Sequence, residues 1–485
     1  MSFNADSIAE EVRKGIEVLI GMASGEEGGA MSADQMERQM WWQLLEVGRQ
    51  LMQLFFAARS RAEEAKRVVE REGEEYPYKG QRERDYLSVF GRVKIERRAY
   101  WKRGVGSVFP LDESLSLPSR VYSDWVQEIV GEMSVKLAYE EAVGWVEKWL
   151  PIRLPKRAAQ QIVVEHAEEV DSYYEQRPAP RPATADRILA VSADGKGIPM
   201  NREHSPPPET RRGKGGKKTA KKEATVTSIY SIAPWIRTPE DILRALLPEQ
   251  PAENLDLPRP EPTGKRTFGT LAGKEAAFEH LAHQVAQRDN ELFTDRVALT
   301  DGSPALQLKV EAYLPDFTLV LDLIHVSEYL WDAANALLGE THPERNAWVR
   351  EALHCLLADD HQTLFERLEK SLSQSDLSSS QRKTLTTVLN YLRRNLPFMD
   401  YQTYLARGWP IATGVIEGAC RHLVKDRFEL SGMRWSVPGA QAMLDLRAVA
   451  LNGDWDDFQR FRRQSTHQQR FGSPHPEICA LALAA

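Results

Sequence analysis

The chain has 485 residues, a length that points to about three domains, with 63 Lys and Arg against 70 Asp and Glu and a formal net charge of −7. Hydrophobic residues at 42% and charged residues at 27% are the profile expected of a soluble globular protein with ample core, and there is no run of about 18 apolar residues to cross a membrane. Three scattered cysteines, Cys355, Cys420 and Cys479, exclude a disulfide framework and a Cys-ligated zinc ribbon. The N-terminal MSFNADSIAEEVRKG has no apolar core of a signal peptide, so a cytoplasmic protein is expected. The acidic total excludes a uniformly basic coat, and any nucleic-acid binding would rest on local charge.

Residues 34–73 run without proline, and Met40, Leu44, Val47, Leu51, Leu54 and Phe55 recur at three- and four-residue steps. The spacing predicts an amphipathic helix, packed on its own domain or dimerising. In LSVFGRVKIERRAYW, Val93 and Ile95 alternate with Arg92, Lys94 and Glu96, which predicts a half-exposed strand or hairpin. Pro151 and Pro155 then punctuate three short helices near 123–133, 137–149 and 155–174, compatible with a helix-turn-helix. The last opens with Lys156, Arg157, Gln160 and Gln161, where a recognition helix presents groups to bases.

After the Pro-rich QRPAPRPAT, strands are predicted in RILAVSADGKGIPM and ATVTSIYSIAP. Between them, Arg211, Arg212, Lys214, Lys217, Lys218, Lys221 and Lys222 stand without an acid. They form a basic loop, either solvated or contacting phosphate; GKGGKK lacks the P-loop spacing, so no nucleotide cofactor is implied. A helix near 273–289, a strand in DRVALTDGSP, a strand turning to helix in DFTLVLDLIHVSEYLW and helices over 333–406 follow. From Thr413 to Ala450 a helix, a GMRW turn and another helix are expected.

Two apolar strands end in Asp194-Gly195 and Asp301-Gly302. An acid followed by glycine at a strand end opens onto the cleft above a sheet, where open sheets hold functional groups. Glu417 stands among Val415, Ile416, Gly418 and Ala419 and reads as buried, where a carboxylate is costly unless paired or bound to metal. Three hard oxygen donors without a His/Cys cluster select Mg²⁺ or Mn²⁺ over zinc. Two such ions suit phosphodiester cleavage and transfer.

The strings SADGKGIPM, VALTDGSP, LDLIHVSEYLW, GVIEGACRHLVKDRFELSGMRWS and PGAQAMLDLRAVALNGDWDDF resemble, in order, bacterial insertion-sequence transposases of the ISKra type, within the DDE group that includes Mutator-like and hAT-like elements. The resemblance runs from about Arg187 to Phe461, and YLSVFGRVKIERRAYW with VFPLDESLSLP resembles the segment preceding the core. It implies an α/β protein with an RNase H-like mixed sheet core interrupted by an all-α insertion, preceded by a mainly α DNA-binding region with a β-hairpin. On that basis the expected parts are a helical dimerisation region 1–76, a hairpin element 77–118, a helix-turn-helix-like domain 119–178, the core in 185–332 and 411–463, the insertion 333–410 and a tail 464–485.

The resemblance carries the triad to Asp194, Asp301 and Glu417 as catalytic and metal-holding residues, and a DxxH signature to Asp322 and His325. His325 then orients a phosphate or carboxylate, or is satisfied by its neighbours. Relatives carry paired cysteines near the hairpin; RRAYWKRGVGSVFPLDE has none, so zinc is not expected. Cys420 reads as a small apolar filler. Arg421 and Lys425 follow Glu417 at helical spacing, as a phosphate track or as ion pairs. Arg434-Trp435 either stacks on an unpaired base or plugs a gap between helices. The expected activity is metal-dependent cutting and joining of DNA at terminal inverted repeats, by a homodimer or larger assembly on double-stranded DNA. The alternatives are a structure-specific nuclease on the same core and a non-catalytic DNA-binding regulator.

Overall fold

The computed structural model describes residues 5–25, 29–201, 221–247, 259–289, 291–430 and 432–476. Of the expected basic loop, Arg211, Arg212, Lys214, Lys217 and Lys218 lie outside the described residues. The chain is a mixed α/β protein with two sheets, divided into two compact units, 1–175 with 454–485 and 176–453. No helix among the described residues is long and apolar enough to cross a membrane.

The first unit opens with α1 (Ala5–Ser24) and α2 (Ala33–Ala62). Ser32 and Gln35 form a reciprocal capping box that fixes where α2 begins. The expected helix to 73 stops at Ala62. Beyond Glu63 the chain extends into β1 (Val68–Arg71), whose β-branched Val68 and Val69 pair with Pro77 and Tyr76. The buried side of α2 also differs from the predicted stripe: Leu45, Val47, Phe56 and Ala57 are buried, while Trp41, Leu44, Leu51 and Phe55 are exposed.

An antiparallel sheet continues through β2 (Glu74–Ser88), β3 (Gly91–Lys102) and β4 (Gly106–Val108). The predicted alternation is present, with Val93 and Ile95 buried and Arg92 and Lys94 exposed. Phe56 packs on Val93, Ile95, Leu111 and Leu117, next to α3 (Pro110–Ser114). The buried Asp112 is shared by Arg84, Arg97 and Arg470. Helices α4 (Asp124–Lys136), α5 (Tyr139–Trp149) and α6 (Lys156–Ala167) enclose a core of Val126, Val130, Val143, Val146, Ala159 and Ile162, and α7 (Val170–Gln176) follows.

The second unit is built on a five-stranded sheet of β5 (Ile188–Pro199), β6 (Lys221–Ile232), β7 (Thr263–Thr270), β8 (Asp295–Thr300) and β9 (Thr318–Leu321). The order is β7-β6-β5-β8-β9. β6 is antiparallel to both β5 and β7, whereas β5, β8 and β9 are parallel. Helix α8 (Pro239–Leu246) follows β6; α9 (Lys274–Arg288) and α10 (Pro304–Tyr313) link the strands that follow. Successive strand residues alternate between two cores. Leu189, Val191, Ala193 and Ala298 meet Phe278, Leu281 and Val310 of α9 and α10. Ile188, Ala190, Val297, Leu299 and Val320 meet the opposite layer of helices.

That layer is α11 (Leu323–Leu338), α12 (Arg345–Leu357), α13 (His361–Leu372), α14 (Ser379–Asn395), a 3-10 turn (Leu396–Phe398) and α15 (Tyr401–Ala406). The chain returns as α16 (Gly414–Ala419), a π-helical turn (Cys420–Lys425), α17 (Asp426–Phe428) and α18 (Val437–Leu451). The final helix, α19 (Trp455–Phe471), groups with the first unit. Phe458 sits against Tyr173 with ring centroids 5.5 Å apart, and Arg462 binds Asp124 at 3.0 Å, which accounts for the grouping.

Candidate metal-binding site

Parallel pairing brings three carboxylates into one row at the sheet's edge. Ser192 of β5 lies opposite Leu299 of β8, and Thr300 of β8 opposite Leu321 of β9. Continuing that register, Asp194, within β5, lies level with Asp301 and Asp322, the residues that directly follow β8 and β9. By alternation they share the face of Ala190, Leu299 and Val320, the one covered by α11–α15.

Asp322 is fully buried and caps α11. It accepts from the Ile324 N–H at 3.1 Å, the His325 N–H at 3.4 Å and His325 Nδ1 at 2.6 Å. Thr413 adds its N–H at 3.0 Å and its hydroxyl at 2.7 Å. Burial alone would push the carboxyl up, but bonds from His325, Thr413 and Ile324 together hold it below the ordinary carboxylate range. His325 moves the opposite way. The hydrogen bond to Asp322 outweighs desolvation, and with the charges of Asp322, Glu328 and Asp301 lifts the imidazole to about 9.

Asp322, His325 and Glu417 each offer a ligand atom within 4.8 Å of the others, so this group could hold a metal ion. The five donors occupy the lone pairs of Asp322, which leaves it to orient the ring while Nε2 and the Glu417 carboxylate retain donor capacity. A metal on Nε2 must displace a proton at neutral pH. Asp194 and Asp301 stand outside the 4.8 Å group, and His325 stands inside it.

The raised histidine has a pH consequence. Because its folded value lies above the ordinary 6.5, its contribution to stability is fully present below about 6.5 and is lost as pH rises through about 9. In the absence of divalent ions, the NMR titration of the His325 ring is expected to centre well above 7. A midpoint near 6.5 contradicts the Asp322–His325 geometry.

Glu417 is exposed, contrary to the sequence expectation, and Arg421 and Lys425 are exposed with it; Ile416, Ala419, Leu423 and Val424 are buried. The helix carrying them widens to a π turn at Cys420–Lys425, an irregularity frequent at functional sites. The buried Arg447 of α18 donates to the carbonyls of Leu423, at 2.8 Å, and His422 within that turn. Cys420 is more than a filler: its thiol lies 3.3 Å from Asp194 Oδ2 and donates to it. Burial, and then the adjacent Asp194 charge, push the thiol well above its ordinary range.

The Asp301 loop is held from the helical layer. Tyr391 of α14 donates to the Asp301 carbonyl at 3.0 Å, and Arg394 to the Gly302 carbonyl at 2.9 Å. Asp301 Oδ1 accepts the Ser303 N–H at 2.9 Å. Gly302 has φ +83°, and a Cβ there would stand 2.9 Å from the Tyr391 ring; conformation and space both demand glycine. Sequence reasoning missed Thr413, Tyr391, Arg394 and Arg447. Only the Asp-Gly pair hinted at any of them, through the tight turn it requires.

The expected DNA contacts have mixed placements. Lys221 pairs with Glu429 at 2.8 Å, and Lys222 is exposed. Arg421 lies 3.8 Å from Asp426. Arg434 is exposed, but Trp435 is buried against Phe428 and beneath Arg427. Of its two anticipated roles, Trp435 plugs a gap and is not open to a base. In the first unit, Lys156, Arg157, Gln160 and Gln161 line the exposed side of α6 near its N-terminus. Lys156 is 3.7 Å from Glu140, and Gln161 accepts from Arg120 at 3.3 Å.

None of the curated proteins matches the chain. A family model described as an uncharacterised protein family (UPF0236) matches residues 27–224, which takes in β5 and Asp194 and stops before Asp301. That family is often found in transposase-like proteins of mobile elements.

Proposed function

We propose that the protein is a DNA transposase whose second unit is an RNase H-like core interrupted by an all-α insertion. The observation that carries this reading is the row of Asp194 and Asp301 on neighbouring parallel strands, with Glu417 beside Asp322 and His325; Asp301 directly follows β8, whereas Asp194 lies within β5, which runs on to Pro199 and so does not end there as the sequence suggested. The mixed sheet, and the helices between β9 and α16, support the interrupted core. Asp194, Asp301 and Glu417 would hold two Mg²⁺ or Mn²⁺ ions; carboxylate oxygens fit such hard ions, and Glu417 is open to solvent. When bound, the ions supply the charge that activates a water or 3′-hydroxyl and stabilises the leaving oxygen.

The chain's own groups do the rest. Protonated His325 donates from Nε2 toward a non-bridging phosphate oxygen, held in orientation by Asp322. Arg421 and Lys425 extend the exposed side of the Glu417 helix as cations for the adjoining phosphates. The exposed Lys156, Arg157, Gln160 and Gln161 of α6 read the terminal inverted repeat in double-stranded DNA. Two ends must be brought together, so the working form is a homodimer or larger assembly, acting in the cytoplasm on nucleoid DNA. Labelled duplex carrying the boundaries of the protein's own genetic element tests the reading. Strand cutting at the boundary is expected with Mg²⁺ or Mn²⁺ and not with a chelator. Binding without cutting in every metal contradicts it.

A further inference from the structure

We propose that Cys420 is a positioning residue whose thiol holds Asp194 turned toward the helix that carries Glu417. The inference rests on the reading of Asp194 as an ion-holding residue. Asp194 Oδ1 is occupied by the N–H of its own neighbour Gly195, at 2.6 Å. Oδ2 is directed at the buried face of the helix that follows Glu417, where Cys420 lies among Ile416, Ala419, Leu423 and Val424. Asp194 is half-buried, and an alanine in place of the cysteine would remove this donor from Oδ2. A carboxylate free to rotate would exchange that oxygen for a solvated orientation and leave the sheet's edge.

The choice of donor is chemically specific. An ammonium or guanidinium at this point would form a charge-assisted bond and compete with a divalent ion for Asp194. A thiol is a weak, uncharged donor that packs as a small apolar side chain. It fixes the rotamer while leaving the full negative charge for the ion. Because Cys420 follows Glu417 by one turn, the same contact also ties β5 to the helix of Glu417 and sets the separation of their two carboxylates. The π turn begins at Cys420, and Arg447 holds its carbonyls, so the thiol is presented from a braced backbone.

The test is Mn²⁺ binding to the full-length protein, followed by electron paramagnetic resonance, for wild type, Cys420→Ala, Cys420→Ser and Asp194→Asn, with thermal melting of each. Residues that orient metal ligands typically change affinity by about 10- to 100-fold. Cys420→Ala is expected to weaken Mn²⁺ binding by about tenfold, with its melting temperature close to wild type. The serine hydroxyl is expected to restore most of the affinity. In an Asp194→Asn background, Cys420→Ala should have no further effect on binding. Wild-type affinity in Cys420→Ala overturns the proposal, as does an equal loss in the alanine and serine variants, which assigns the effect to packing. A wild type that binds no Mn²⁺ overturns instead the reading of Asp194 as an ion-holding residue.

Discussion

Asp322→Ala is expected to destabilise the second unit by about 3 kcal/mol, the combined cost of leaving the buried Thr413 donors unpaired and removing the cap of α11, and to lower its melting transition by roughly 10 °C. Five hydrogen bonds converge on this fully buried carboxylate. Three come from the start of α11 and two from Thr413, at the entry to α16. Removing the acceptor leaves the Thr413 N–H buried without a partner, His325 without its counter-charge and α11 without its cap. Thr413→Val, which deletes only the hydroxyl, should cost about 1 kcal/mol. The pair separates anchoring from metal binding. If Asp322 were chiefly an ion ligand, Asp322→Ala in metal-free solution would melt like wild type or higher, because a buried negative charge would have been relieved.

The same residue shows where sequence reasoning reached and where it stopped. Strand placement was legible because the pleat writes itself as alternation: Val93 and Ile95 are buried between exposed Arg92 and Lys94. The apolar runs before Asp194-Gly195 and Asp301-Gly302 do become parallel neighbours. Asp322 and His325 were recognisable as a spaced pair, but not their division of labour. That depends on Thr413, about ninety residues away and signalled by nothing local. Glu417 read as buried because its sequence neighbours are apolar, yet a helix turns every side chain by about 100°, and it is exposed while Ile416 and Ala419 are not.

Other misses have similar causes. The charged run after Ala62 has helical composition, but pairing of Val68 with Pro77 in the first sheet prevails over local preference. The π turn is bound at its His422 and Leu423 carbonyls by Arg447 of α18, a partner that no local pattern announces. Trp435 sits next to an exposed arginine in sequence, but Phe428 and Arg427 enclose it. No periodicity marks α19 as belonging with the first unit; contacts such as Phe458–Tyr173 decide it.

The largest expected effect on activity is that of Glu417→Gln. The substitution preserves size and hydrogen-bonding reach but removes the charge that holds an ion. Because Glu417 is exposed, the fold should be unaffected. Loss of metal stabilisation of the transition state is worth several kcal/mol, and each 1.36 kcal/mol is tenfold in rate, so a fall of about a thousandfold in cutting is expected. DNA affinity should stay near wild type, since Arg421, Lys425 and the exposed residues of α6 are untouched. The decisive measurement is therefore cutting of labelled element-end DNA by wild type and Glu417→Gln side by side, in Mg²⁺ and in Mn²⁺, with binding followed on the same substrate. Cutting at the element boundary by wild type alone, with equal binding by both, is the predicted result. Equal cutting by the two proteins would show that Glu417 holds no ion needed for the reaction, and would contradict the account.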